Sequence, residues 1–580
     1  MQMRSTAIIA LVLICIAGCK SPLQRTLDIS LRQETAAHHQ AFLHAVAARP
    51  IIEIKREQSA VEKRLIEQGR ITELDEMSGP TAYAHQPLQL GPNLLNEEQE
   101  EIVQMTTQQA IHLAVRNNLD VQLARIAPAI SQSQVTQAEA VFDAVYFADV
   151  SYSSTDTPLP PAAIPTFGST QRKKFDLTTG IRKSLATGGD ITLQTNATRS
   201  NSNPSITSVN AFDTANVELT LVQPVLRNFG SDVAMAAIHL RRNANAADLE
   251  LLHETLLDVA LETEQAYWDL VQARQELLIT NHLLRRTADE LDRLEKRGGF
   301  DASPVQITQA QSDVEQRRSE VILARQGVHR ASDALKQLIN SRDLSLAGET
   351  LIIAADDPAD LPIAFSLLDA VTTALQNRPR INRAMLNISD ATIRQRVADN
   401  QRLPVLNLGA TVRYNGLGST HGQSYRELSD GNFIDYILNT QFEVPIGNRT
   451  QQAQYRRFQH EHQSSVVAYR REVQNVVKEV KDAIREVETA YELIATTRAA
   501  RRAAADNVRV MEAQEDVGGE LTPEFIDRKL RRLETLANRE LQELRSLTGY
   551  GTAIANYYRT TGTLLEQHGI NFSDQMSNGE

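Results

Sequence analysis

The sequence predicts an α+β membrane-protein fold in two internal repeats, in which helices far longer than those of a globule are joined to amphipathic strands. Three observations predict it. The segment TQQAIHLAVRNNLDVQLA at Thr107 is echoed at Ser366 by SLLDAVTTALQNRPRINRA. Each copy runs on into period-two alternation about as long as a tilted strand needs to cross a bilayer. Each then enters an interval without proline, Pro224 to Pro304 and Pro445 to Pro523, that one uninterrupted helix can fill.

The bulk numbers agree with an elongated pseudo-repeat. The chain has 580 residues but only 5% aromatic side chains, and the duplication takes up most of its length. Its net charge of −12 and its lack of a clustered basic face exclude nucleic acid as a partner.

The N-terminus reads as an export signal. Arg4 precedes the apolar run from Ala7 to Ile16, and the run ends in Ile16-Ala17-Gly18-Cys19, small residues before a cysteine. This is similar to a bacterial lipoprotein signal, which implies that Cys19 becomes the lipidated first residue. The other reading is an ordinary secretory signal whose cysteine carries no lipid. Cys15 and Cys19 are the two cysteines of the chain, so no disulfide is expected to staple the mature fold. Lys20 stands where the lipoprotein pattern has Asp for retention at the inner membrane, which implies the outer membrane. Beyond the signal no run of about 18 apolar residues occurs, and no membrane-spanning helix is expected.

From Lys20 to about Met105 the chain is polar with helical patches, then punctuated by Pro80, Pro87 and Pro92, which reads as a tether and linker. Thr106 or Thr107 offers an N-cap, and Ala110, Ile111, Ala114, Val115 and Leu119 form a helical stripe. Aligned without gaps at an offset of about 260 residues, Asn117 falls on Asn377 and Ala144 on Pro404, where the period becomes two. In the second copy Leu406, Leu408, Ala410, Val412 and Tyr414 alternate with Asn407, Gly409, Thr411 and Arg413. Ile434, Tyr436, Leu438, Phe442 and Val444 alternate with Asp435, Asn439, Gln441 and Glu443. The polar, glycine-rich stretch from Asn415 to Phe433 between them is expected to be an exposed loop.

The first copy is about 40 residues longer here, enough for an additional hairpin. Its strands are expected at Tyr146–Ser153, Phe175–Leu185, Ile191–Arg199 and Ala215–Gln223, with a tight turn at Ala186-Thr187-Gly188-Gly189. The proline-free intervals follow. About 65 residues at 1.5 Å rise make a helix of roughly 95 Å. Gly298-Gly299 and Gly518-Gly519 end these helices, and Ser303-Pro304 and Thr522-Pro523 start the returning ones, each an N-cap followed by proline at the first helical position. Along one flank lie Leu256, Val259, Ala260, Thr263, Ala266, Tyr267 and Leu270, the pattern of lateral coiled-coil packing.

This order of elements resembles the TolC-like outer-membrane efflux proteins. The resemblance is carried by the helix openings AIHLAVRNN and AVTTALQNR, the strand opening RLPVLNLGA, the strand-to-helix passages LVQPVLRNFG and FEVPIGNR, and the mid-helix elements Glu264-Gln265-Ala266-Tyr267 and Glu488-Thr489-Ala490-Tyr491. It covers Met105 to about Tyr558. It implies a homotrimer whose chains each give four strands to one shared transmembrane β-barrel, continued by a long α-helical coiled-coil tunnel through the periplasm. The added hairpin departs from that pattern, either enlarging the barrel to six strands per chain or protruding from it. The division expected is a signal peptide at 1–18, a lipid-anchored tether and linker at 19–105, a first repeat at 106–345, a linker at 346–365, a second repeat at 366–560 and a tail at 561–580.

The function implied is a passive exit duct of a tripartite efflux or type I secretion system, fed by an inner-membrane transporter through a periplasmic adaptor. Asn407, Thr411, Arg413, Asn439, Gln441 and Glu443 are the candidate lining of a water-filled lumen. Glu512, Glu515 and Asp516 are candidates for an acidic periplasmic aperture; a solvated helix end is the other reading. Lys296, Arg297 and Asp301 hold the corresponding place in the first copy, so opposite charges on neighbouring hairpins are expected to help hold the aperture shut. Gly298, Gly299, Ser303, Gly518, Gly519 and Thr522 would form the tips that meet the adaptor. The rival function is a lipid-anchored periplasmic coiled-coil scaffold or an adaptor, which would need the cysteine and the helices but not the alternating strands. No enzyme is expected and no cofactor. His460 and His462 stand at i and i+2, which on a helix point apart and cannot share a metal, and no phosphate loop or nucleophile elbow occurs.

Overall fold

The computed structural model describes residues 59–80, 82–83, 86, 88, 90, 102–158, 169–203, 210–297, 303–358, 360–517 and 522–572. In chain order the first half holds α1 (Ala60–Glu67), α2 (Ile71–Ser78), β1 (Ile102–Met105), α3 (Thr107–Asn117), α4 (Leu119–Glu139), β2 (Val145–Pro158), β3 (Ser169–Ser184), β4 (Asp190–Asn203), β5 (Phe212–Pro224), α5 (Ser231–Ala234) and α6 (Ala236–Arg297). The second half holds α7 (Pro304–Ile339), β6 (Leu351–Ala354), α8 (Leu367–Asn377), α9 (Pro379–Asn400), β7 (Val405–Gly418), α10 (His421–Asp430), β8 (Ile434–Glu443), α11 (Arg449–Asp516), α12 (Pro523–Thr561) and α13 (Leu564–Gln567). The helices α6 and α11 have 62 and 68 residues, about 93 and 102 Å at 1.5 Å rise, and no proline interrupts either. Two units result, one from Ala129–Ala247 and Ala384–Tyr469, the other from the described parts of His38–Pro128, Asp248–Arg383 and Arg470–Glu580.

The first unit is built on a six-stranded sheet in the order β2-β3-β4-β5-β7-β8, with every neighbouring pair antiparallel. The added hairpin, whose place the sequence leaves open, is β3–β4, and both strands lie in the sheet between β2 and β5. Its turn is fixed by close contacts. Gly188 has φ +88°, a conformation that disfavours any side chain, and a Cβ there would stand 2.2 Å from the Asn228 carbonyl oxygen. The Thr187 hydroxyl donates to Gln223 Oε1 at 2.8 Å and the Gly230 N–H donates to the Thr187 carbonyl at 3.1 Å, which pins the turn to the chain leaving β5.

The stretch 415–433 is not the loop expected from its composition. Strand β7 continues to Gly418 and the ten-residue helix α10 follows, packed on β5 and β7. Glycine makes the contact possible, since a Cβ on Gly416 would lie 2.0 Å from the Ser424 carbonyl oxygen.

The second unit is helical. Thr106 caps α3 through a capping box with Gln109, and Ser366 caps α8 by accepting from the Asp369 N–H, so both helices of eleven residues start on a hydroxyl. Ile111, Ala114 and Val115 of α3 are buried against Leu252, Leu256, Val259 and Ala260 of α6. The flank of α6 predicted from Leu256 to Leu270 is buried apart from Ala266, which is half-buried, but Leu119 departs from the stripe predicted for α3: α3 ends at Asn117, and Leu119 opens α4 with its side chain exposed. Within 19–105, α1 and α2 bury Leu65 and Leu74 against Leu278, Val508, Leu533 and Leu536, and Arg502 reaches Glu62 at 3.1 Å and Asp75 at 2.7 Å. Within 561–580, Leu564, Leu565 and Ile570 are buried. The two linkers also meet, β1 and β6 forming a parallel pair from Ile102↔Leu351 to Met105↔Ala354. Tyr267 secures them: its hydroxyl accepts from the Asp356 N–H at 2.9 Å and the Ala355 N–H at 3.1 Å and donates to the Met105 carbonyl at 3.1 Å.

Candidate functional site

Alternation along each strand and register between strands sort the sheet into two faces. One register row reads Tyr146, Ile181, Leu193, Leu219, Val412 and Tyr436 across all six strands. The same face carries Val150, Tyr152, Leu408 and Phe442, and Leu438 is 86% exposed in the single chain. So many large apolar side chains exposed on one face mark a surface that an apolar partner or medium would cover.

The opposite face is polar, with a few apolar side chains such as Phe147 and Ile437. All six lumen candidates lie on it: Asn407, Thr411 and Arg413 on β7, and Asn439, Gln441 and Glu443 on β8. Asn407 Nδ2 donates to Gln441 Oε1 at 3.3 Å, and Asn439 folds over Gly409, where a Cβ would come within 1.8 Å of its side-chain oxygen. The Thr411 hydroxyl is 3.0 Å from that of Thr220, and Arg413 donates from Nε to Glu218 Oε2 at 2.8 Å. Sequence reasoning missed the first-copy half of this face. Glu218 and Thr220 on β5, Gln194, Asn196 and Thr198 on β4, and Lys174, Asp176 and Thr178 on β3 all belong to it. The signal was the same alternation, present in every one of these strands.

The hairpin-tip candidates lie in the helical unit. Ser303 and Thr522 are N-caps as expected: the Ser303 N–H donates to Gln306 Oε1 at 2.6 Å, and the Thr522 hydroxyl accepts from the Phe525 N–H at 3.3 Å. Gly298, Gly299, Asp301, Gly518 and Gly519 lie outside the described residues, as do Cys19 and the side chain of Asp516. Glu512 is half-buried on the last turns of α11.

Glu515 is not a bare acid. Arg293 Nη1 donates to its Oε1 at 3.0 Å, and Lys529 Nζ donates to its Oε2. Lys529, 3% exposed, also donates to Glu290 Oε1 at 2.6 Å. Burial works to raise the pKa of Glu515, but the hydrogen bond and charge of Lys529, joined by those of Arg293, outweigh it and hold the carboxyl below its ordinary value. Opposite charges therefore do meet near the tip, through Arg293 and Lys529. Lys296, expected in that role, pairs instead with Asp292 on its own helix. Arg293 stands one turn before Lys296, and Lys529 is the only one of these partners on a returning helix, so neither was singled out by closeness to the glycine pairs.

The outer membrane efflux protein family model matches residues 370–521. Over that segment the chain is similar to the outer membrane efflux protein family. Solved channels share its fold. The Campylobacter jejuni CmeC outer membrane channel is 15% identical with a TM-score of 0.58, covering 85% of this chain and 94% of that one. The Vibrio cholerae outer membrane protein VceC is 15% identical at TM-score 0.54, covering 79% and 96%, and the open-state Neisseria gonorrhoeae MtrE outer membrane channel is 16% identical at 0.52, covering 79% and 89%. No curated protein matches the chain in sequence.

Proposed function

We propose that this protein is the outer-membrane exit duct of a tripartite efflux or type I secretion system. Three copies close their sheets into one shared barrel, and the long helices of the two repeats continue it as a coiled-coil tunnel. Substrates arrive from an inner-membrane transporter through a periplasmic adaptor and pass without catalysis along the polar face that includes Arg413, Glu218 and Asn439. The tips around Ser303 and Thr522 meet the adaptor, Glu512, Glu515 and Asp516 surround the aperture, and a lipid on Cys19 adds a second hold on the membrane.

One observation carries this reading: an apolar row crosses all six strands on one face and a mainly polar face lies opposite, in a chain whose residues 370–521 match the efflux family model. A periplasmic scaffold is not favoured, because it gives that apolar face nothing to bury against. Membrane fractionation, denaturant-resistant migration and planar-bilayer recording test the proposal. The chain should partition with the outer membrane, migrate at three chain masses and conduct ions, and Cys19→Ala should lose the lipid while keeping the trimer. A monomer released without detergent after Cys19→Ala would overturn the duct and restore the scaffold.

A further inference from the structure

The added hairpin sets the size of the closed wall, an inference that rests on the duct reading above. Among the described residues β2 and β8 each have a strand neighbour on one side only. Tyr146, Val150 and Tyr152 carry the apolar face to the β2 edge, and Tyr436, Leu438 and Phe442 carry it to the β8 edge. Both rows of unpaired N–H and C=O groups would then stand at the depth of hydrocarbon, where no water can satisfy them. Because all five pairings are antiparallel and the sheet has six strands, β2 and β8 run in opposite directions. Each edge is therefore the antiparallel complement of the other on a second copy.

We propose that β2 of each copy pairs with β8 of the next, and that three copies close an eighteen-stranded barrel in which β3 and β4 are wall strands. The pairing of β3 with β4 runs unbroken from Gln171↔Asn203 to Ser184↔Asp190, and both strands keep full register with β2 and β5 outside them. Ile181 and Leu193 share the apolar row, while Thr192 and Gln194 point to the polar face with Thr220 and Glu218. The turn at Gly188 is locked to the exit of β5, which a protruding ornament would not need. With strands about 4.8 Å apart and tilted about 40°, eighteen strands give a Cα radius of about 18 Å, against about 12 Å for twelve. Subtracting about 5 Å of lining side chains leaves an open cross-section about threefold larger.

Spin labels on single cysteines in the full-length protein, reconstituted in lipid vesicles, test this, with background taken from the labelled wild type. Relaxation by oxygen reports hydrocarbon, and relaxation by a soluble nickel complex reports water. Ile181→Cys and Leu193→Cys should favour oxygen severalfold, Thr192→Cys and Gln194→Cys should favour nickel, and Val412→Cys and Thr411→Cys on β7 should show the same contrast. If the β7 pair alternates while the β3 and β4 sites are wet on both faces, the eighteen-stranded wall is wrong and the duct stands. Wet labels at Val412 and Thr411 alike would sink the duct reading with it. Axial electron-microscopy averages of the wild-type trimer give a readout that needs no substitution, a radius near 18 Å supporting the wall and one near 12 Å refuting it.

Discussion

Replacing Lys529 by methionine removes one charge from the hairpin-tip network and keeps the packing of its stem. In the wild type Lys529 holds Glu290 at 2.6 Å and also holds Glu515, and Arg293 reaches the same two acids at 3.3 and 3.0 Å. The two bases match the two acids. Without Lys529 both carboxylates depend on Arg293, whose side chain is 56% exposed and therefore screened by water and salt. Removing one partner of a buried pair costs about 3–5 kcal/mol, and the lower end applies because Glu290 and Glu515 keep 10% and 17% exposure. A loss of about 3 kcal/mol raises local opening about 150-fold. Hydrogen exchange on the detergent-solubilised protein should show protection falling by about two orders of magnitude in 505–517 and 522–535, with α3 unchanged as the internal reference. Unaltered protection in those two segments would refute the idea that this network holds the tips together.

The same network is sensitive to acid. With its folded pKa held low, Glu515 contributes its full stability above the ordinary carboxylate value of 4.5 and loses it as pH falls below that value, so exchange protection at the tip should drop in acid before that of α3 does. Glu540 behaves in the opposite sense: burial raises it to about 8, with Tyr83 donating to it at 2.9 Å. Its contribution is complete below 4.5 and is lost as pH rises toward 8, at most about 5 kcal/mol, so Glu540→Gln should flatten a wild-type decline in denaturation midpoint between pH 5 and 8.5. Gly188→Ala should cost about 2 kcal/mol through its positive φ and the clash with Asn228, read as a lowered melting temperature, whereas the open position Gly422 should tolerate alanine.

The strands of the second copy were legible because alternation assigns each side chain to a face, and the register bears out those faces residue by residue. Alternation does not name neighbours. Nothing in Phe175–Leu185 or Ile191–Arg199 read alone distinguishes a wall strand from a projecting hairpin; that depends on hydrogen bonds to β2 and β5. Helix α10 escaped detection for a related reason, since a ten-residue, mostly polar segment has weak helical preference and its support comes from the bare backbone of Gly416 and Gly418. Glu515 was found at the tip, but its partners were not, because Lys529 and Glu290 sit on other helices and side-chain pairing across helices leaves no local trace. The four-residue strands IVQM and LIIA were too short to stand out from the linkers that contain them.

The pairing of β1 with β6 also bears on the order in which the chain folds. Ile102 and Leu351 are neighbours in space at a separation of 249 positions, and closing a chain loop of that length costs about 5 kcal/mol of entropy. Four residue pairs cannot offset that alone. The strand pair gains a foothold only after the intervening helices and strands have folded and brought Tyr267 into place between Met105 and Asp356. Its long sequence separation makes it a late event, formed when the first half of the chain is already folded.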